Sequence, residues 1–169
     1  KVSESMIHSC TGFIVAIKPK HKITKYTCAA PSSREISERI LKIISLATIT
    51  DTPANTTGGK VARRLYSNNN SNYQQVNLTS FPALTPTSLA SLDTDKPLYV
   101  KMWASWCQPC MEQMPHFQAL YQQYGDKVNF VAVNIDINEK SEEIAAVISR
   151  FNLTMPVWLD VESKLAVAL

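Results

Sequence analysis

From residue 97 onward the chain alternates between two hydrophobic periods, and this alternation narrows its fold more than any other feature. VNFVAVNID (Val128 to Asp136) is a nearly continuous apolar run, as expected of a strand buried on both faces. PLYVKMW (Pro97 to Trp103) before it and MPVWLD (Met155 to Asp160) after it read as further short strands. Two helical stripes lie between them. MEQMPHFQALYQQY sets Met111, Met114, Phe117, Leu120, Tyr121 and Tyr124 on one face and is closed by Gly125. SEEIAAVISRF repeats Ile144, Val147, Ile148 and Phe151 at helical spacing, with Ser141 as the expected N-cap and two Glu in the first turn. Strand, helix, strand, helix, strand with short connections predicts an α/β fold, a largely parallel sheet covered by helices. Upstream, YQQVNLTSF and the stretch from Leu84 to Leu92 read as an entry hairpin or an irregular lead-in.

The N-terminal part is different in character. Residues 1–70 carry eleven Lys/Arg against four Asp/Glu, whereas residues 71–169 carry six against ten. Such asymmetry marks a boundary, and the polar run SNNNSN (Ser67 to Asn72) supplies a local cause for one. The expected division is a basic N-terminal extension, 1–70, of no assigned role and an α/β domain, 71–169. Within the extension, GFIVAIKPKHKITKYTC reads as two strands around a basic turn at Lys18-Pro19-Lys20, flanked by Cys10 and Cys28, which could be bridged. ISERILKIISLA has helical spacing. The dispersed lysines lack the aromatic interleaving of a single-strand nucleic-acid binder, so no nucleic-acid partner is expected. IISLATIT (Ile43 to Thr50) is too short to span a membrane; it is either the core of a secretory signal or part of a buried helix. The chain opens on Lys1 rather than Met, which suggests a processed or clipped piece of something longer.

Four cysteines in 169 residues make no disulfide scaffold. Cys107 and Cys110 are a tight pair, placed by the strand–helix pattern at the end of one strand and the first turn of the next helix. There the unpaired backbone N–H groups and the helix dipole favour an anion, and a cysteine so placed has its thiol pKa lowered from about 8.5 towards 3.5–7.5. Cys110, one turn on, would be more buried and placed to attack a mixed disulfide on Cys107. Pro109 lacks an N–H that an early helical position does not need, and it stiffens the turn joining the sulfurs. A structural zinc site wants four ligands, yet no second CxxC exists and His8, His21 and His116 have no matching spacing. A c-type haem needs His where Met111 stands. Met111, Met114 and His116 could be recruited for Cu(I), but packing explains the two methionines more simply. No cofactor or metal set is complete.

VKMWASWCQPC, followed by a helix with Pro115 inside its second turn, resembles the thioredoxin superfamily, in particular its extracytoplasmic TlpA/ResA-type branch. The resemblance covers roughly residues 73–169. It implies a thioredoxin-like fold, a central mixed sheet flanked by helices, and protein-disulfide oxidoreductase activity in the periplasm or otherwise outside the cytoplasm, often with a membrane tether. By position Cys107 matches the nucleophile, Cys110 the resolving cysteine and Trp106 the aromatic flanking the site; Trp103 is expected to pack in the core. The implied partners are protein thiols and disulfides and an upstream membrane or periplasmic reductant, with this protein most readily the reductant. The alternative is a thioredoxin-like binding module that carries copper or docks a partner.

Three positions depart from the family pattern. Lys101 stands where thioredoxins proper bury an Asp, and alternation leaves open whether it faces inward or outward. Gln113, beside Glu112, stands where TlpA-type proteins often have a Glu. The family's cis-proline is either Pro156 or lies beyond the last residue. The run from Leu153 to Leu169, which is similar to the extra strand and helix preceding that proline, favours the second placement and so a C-terminally truncated domain.

Overall fold

The computed structural model describes residues 11–16, 22–27, 38, 73–92 and 95–168. The boundary run at 67–72, the turn at 18–20, Cys10 and Cys28 lie outside them, as does the helical stretch at 36–47 apart from Glu38, which is helical and exposed.

Among the described residues seven strands form one mixed sheet: β1 (Thr11–Ala16), β2 (Lys22–Thr27), β3 (Leu78–Phe81), β4 (Pro86–Thr87), β5 (Leu98–Trp103), β6 (Asn129–Asn134) and β7 (Val157–Leu159), in the order β2-β1-β5-β6-β7-β3-β4. β5, β6 and β7 are parallel neighbours. Helix α1 (Gln108–Tyr124) connects the first two, and α2 (Ser141–Phe151) connects β6 to β7. The remaining pairings, β1 with β2 and with β5, and β3 with β4 and with β7, are antiparallel. A short helix, α3 (Lys164–Ala168), follows β7. The α/β, thioredoxin-like architecture is therefore as expected.

Strand alternation sends the residues of β5 and β6 to two separate cores. Tyr99, Trp103, Phe130 and Ala132 pack with Met111, Met114, Phe117 and Leu120 of α1 and with Ile144 and Val147 of α2. Tyr99, Phe117 and Phe130 form an aromatic cluster with ring centroids 4.9, 5.4 and 5.7 Å apart. Such pairs contribute about 0.5–1.5 kcal/mol each beyond their buried area. On the other face Leu98, Val100, Met102, Val131 and Val133 pack with Tyr73, Leu78, Leu89, Trp158 and Leu165.

Several local expectations are refined. The N-cap of α2 is Lys140 rather than Ser141, which is the first helical residue. The cause is Glu143, whose carboxylate accepts the Lys140 backbone N–H at 2.9 Å and so fixes the start one residue earlier. Gly125 does close α1, but at φ −63°. Its small size is what matters there: a Cβ would lie 2.7 Å from the Tyr121 carbonyl oxygen, to which the Gly125 N–H donates at 2.8 Å. The strand read to Asp136 ends at Asn134, because Asp136 turns its carboxylate to the Asn138 N–H at 2.9 Å. The cis peptide among the described residues is Phe81–Pro82, in the β3–β4 hairpin; Met155–Pro156 is not cis. Pro156 is thus not a cis-proline.

Candidate active site

β5 ends at Trp103, and the chain turns through 104–107 before α1 begins. The Cys107 N–H donates to the Ala104 carbonyl at 3.1 Å, closing that turn. Cys107 then becomes the N-cap: its backbone is extended (φ −79°, ψ 92°), and its carbonyl accepts the Met111 N–H at 3.0 Å, the first bond of the helix. No side chain caps the helix from this position, so the sulfur of the N-cap residue lies beside N–H groups that carry the positive end of the dipole. Pro109 falls in the first turn, where its missing N–H costs nothing.

Cys107 and Cys110 are joined by a disulfide, with Cα atoms 5.2 Å apart. The two ends differ in exposure. Cys110 is buried, at 2% exposure, and belongs to the helix-side core, whereas Cys107 is half-buried at its rim. Trp103 is buried in that core and Trp106 is exposed. Met111 and Met114 are core residues and His116 is exposed, so these three do not converge on one point. Among the described residues no group of three or more His, Cys, Asp or Glu could hold a metal ion.

The orientation of Lys101 is settled by its neighbours. It shares the parity of Tyr99 and Trp103, faces α1, and is 2% exposed. Its amine donates to the side-chain oxygen of Gln113.

Two carboxylates that sequence reasoning missed hold the turn before Cys107. In the loop between β6 and α2, one oxygen of Glu139 accepts the Ser105 N–H at 2.7 Å, and the other accepts from the Asn134 amide. Asp136 Oδ2 accepts the Trp106 indole N–H at 2.6 Å. Asn134 in turn accepts the Asp136 N–H at 3.1 Å, tying the loop to the end of β6. The one available signal was the polar cluster Asn134, Asp136, Asn138, Glu139 directly after an apolar strand, since a βαβ crossover brings that loop beside the loop following β5.

A CxxC disulfide thus spans the first turn of a helix that leaves a central strand of a mixed sheet. The Redoxin family matches residues 69–169. This chain belongs to the Redoxin family. The chain is similar to Thioredoxin-like protein YneN of Bacillus subtilis, 39% identical over 66 residues, covering 38% of this chain and 39% of that protein. It is 40% identical over 63 residues to Thiol-disulfide oxidoreductase ResA of Oceanobacillus iheyensis, covering 37% and 32% of the two chains. Sporulation thiol-disulfide oxidoreductase A of B. subtilis is 35% identical over 65 residues, with 37% and 39% covered. The matched segment thus spans less than two fifths of each of these three curated relatives. In fold, the chain resembles the crystal structure of a secreted Mycobacterium tuberculosis disulfide oxidoreductase homologous to E. coli DsbE. The TM-score is 0.50 at 21% identity, covering 57% of this chain and 68% of that one. These similarities support the TlpA/ResA-type resemblance within the thioredoxin superfamily.

Proposed function

We propose that the protein is a thiol–disulfide oxidoreductase that acts on partner proteins outside the cytoplasm, chiefly as a reductant. The observation that carries this reading is the Cys107–Cys110 disulfide spanning the N-cap and first turn of α1. Relatives named as thiol-disulfide oxidoreductases support it, and the M. tuberculosis neighbour is a secreted protein, which is consistent with the location. Among the described residues no helix is long and apolar enough to cross a membrane.

The chemistry follows from the asymmetry of the pair. In the reduced protein Cys107, half-exposed at the helix N-terminus, is the thiolate that attacks one sulfur of a partner disulfide. A Cys107–partner bond forms, the partner's S–S bond breaks, and the released partner thiolate takes a proton. Cys110, one turn along and buried, then loses its proton and attacks Cys107 Sγ. The mixed disulfide breaks, the partner leaves fully reduced, and the Cys107–Cys110 bond remains. An upstream dithiol reductant must reduce the pair again. Pro109 holds the two sulfurs in one rigid turn, and Trp106 offers an exposed indole beside the attacking sulfur for contact with the partner chain.

Disulfide reduction measured on insulin tests the reading. Wild type should turn over, Cys107→Ser should be inactive, and Cys110→Ser should stall as a mixed disulfide recoverable on a non-reducing gel. Equal inactivity of wild type and both folded variants would end the assignment. The trapped partner from the Cys110→Ser protein would identify the substrate.

A further inference from the structure

Four polar or charged side chains are fully buried among the described residues: Lys101, Gln118, Asn134 and Asp160. Three make bonds that hold the fold, although Oδ1 of Asp160 is buried without a hydrogen-bond partner. Gln118 exchanges two hydrogen bonds with Thr154, at 2.8 and 3.0 Å. Asn134 anchors the loop after β6, and Asp160 accepts the Ala166 N–H at 3.0 Å at the start of α3. Lys101 is the cation of the set, and packing gives no reason for its nitrogen. Burial disfavours an ammonium by several kcal/mol, and a hydrocarbon of the same length is often neutral or stabilising in such a place.

Its surroundings supply a reason. The amine is bonded to Gln113, which follows Cys110 by three positions on α1. Residues three apart on a helix are neighbours, with β-carbons about 5–6 Å apart. The nitrogen is therefore bonded to a side chain whose backbone stands about one helical turn from the buried end of the disulfide. Ala132 on β6 and Gly12 on β1 stand beside Lys101 in register, and neither ionises. Glu112 and His116 on α1 are exposed, pointing away from this layer. The titratable groups in the cluster that Lys101 faces are Tyr99, Cys107, Cys110, Tyr121 and Tyr124, and the three phenols are neutral at physiological pH.

We propose that Lys101 is a positioning residue of the redox pair, its amine taking up one of the two protons that accompany reduction and facing the Cys107 thiolate as an ammonium. This rests on the oxidoreductase reading. A dithiol reductant supplies two electrons and two protons, and the Cys107–Cys110 bond breaks. One proton goes to Cys110 as its thiol, the other to the amine, and Cys107 keeps the negative charge. The site then holds one ammonium and one thiolate, with no change in net charge, so a buried charge appears only together with its counter-ion. On transfer to a partner disulfide both protons leave with the partner's two thiols, and the amine returns to the neutral form that the apolar layer favours. Gln113 accepts an N–H from the amine in either form.

Two measurements test the proposal. The first is the pH profile of Cys107 alkylation by iodoacetamide in reduced wild type and Lys101→Met. Loss of an opposite charge at this range raises a thiol midpoint by about one unit or more, so at pH 6 the variant should react roughly tenfold more slowly. The second is lysine 13Cε NMR on the wild-type protein. Coupling between two groups is reciprocal, so the Lys101 midpoint should be higher in the reduced protein than in the oxidised one. Superimposable alkylation profiles, or a lysine midpoint indifferent to the state of the disulfide, would overturn the proposal. If Lys101→Met does not fold, the NMR comparison decides alone. Neither readout depends on turnover. Failure of wild type to reduce insulin would count against the oxidoreductase reading and would leave these two measurements interpretable.

Discussion

The two faces of the β5–β6 pair are built by different rules. The face away from α1 receives Leu98, Val100, Met102, Val131 and Val133, all apolar and all buried, against Leu78, Leu89, Trp158 and Leu165. The face under α1 receives Tyr99, Trp103, Phe130 and Ala132, but also Lys101 and Asn134, both buried to 2% exposure. Burying apolar area explains the first face completely, at about 25 cal/mol per Å². It does not explain the second, where a lysine amine and an amide sit at positions that alternation assigns to hydrocarbon. The extra polarity lies toward the C-terminal ends of the parallel strands, which is also where the disulfide and the acidic loop are found. The difference teaches that one side of this sheet supplies stability and the other carries stability and chemistry together.

The largest test of that contrast deletes one large side chain from each face. Phe117→Ala removes the ring at the centre of the aromatic cluster, and Leu98→Ala removes a side chain with no exposed surface on the opposite face. Urea denaturation should show losses of about 3–5 kcal/mol and 2–5 kcal/mol respectively. The sharper expectation concerns the folded fraction. Phe117 shares its cluster with Cys110, so its loss should also change the rate at which the reduced pair is alkylated, while Leu98→Ala should leave that rate unchanged. Equal effects on the cysteines would mean that the two faces are not functionally separate.

How far this contrast could be read from the sequence depends on which residue is asked. The strand at 97–103, the buried strand after 127 and both long helices were legible, because apolar periods of two and 3.6 survive any tertiary context. Cys107 and Cys110 were legible as a pair at a strand-to-helix junction, since spacing alone puts both in one helical turn. Lys101 was not, as a strand seen by itself has no inside and outside; only the packing of Tyr99 and Trp103 against α1 assigns its face. The edge at which β1 joins β5 was equally hidden, because the hairpin signal is local and the pairing spans 83 or more residues of sequence. Asp136 and Glu139 escaped for the same reason, their partners Trp106 and Ser105 being 30 and 34 positions away.

A middle-sized test works on that acidic loop, which belongs to the chemical side. Glu139→Ala would strip the Asn134 amide, buried at 2% exposure, and the Ser105 N–H of their acceptor together. Leaving such groups unpaired costs about 1–3 kcal/mol. Thermal unfolding should register that loss, and hydrogen exchange should show faster exchange at the Ser105 amide. Unchanged protection at Ser105 would mean that the turn before Cys107 holds its shape without the loop.

The smallest test falls on the apolar face, which also buries a titratable group. Tyr73 is 5% exposed among Leu78, Leu89 and Trp158, and burial raises its hydroxyl above the ordinary value of 10.0, with Gln74 acting weakly the other way. A phenol is neutral at physiological pH, so it enters an apolar layer without carrying charge there. The sign of its pH effect follows. A raised folded pKa means that the unfolded chain releases this proton more readily than the native one, so the contribution is fully present below about pH 10 and is lost as pH rises through the higher folded value. Tyr73→Phe should therefore change stability by less than about 1 kcal/mol at pH 7. Above pH 10 the variant should lose less stability than wild type in parallel urea titrations. If the two curves stay parallel into the alkaline range, Tyr73 ionises as freely in the folded protein as in the unfolded chain, and the apolar face is wetter at that corner than its packing implies.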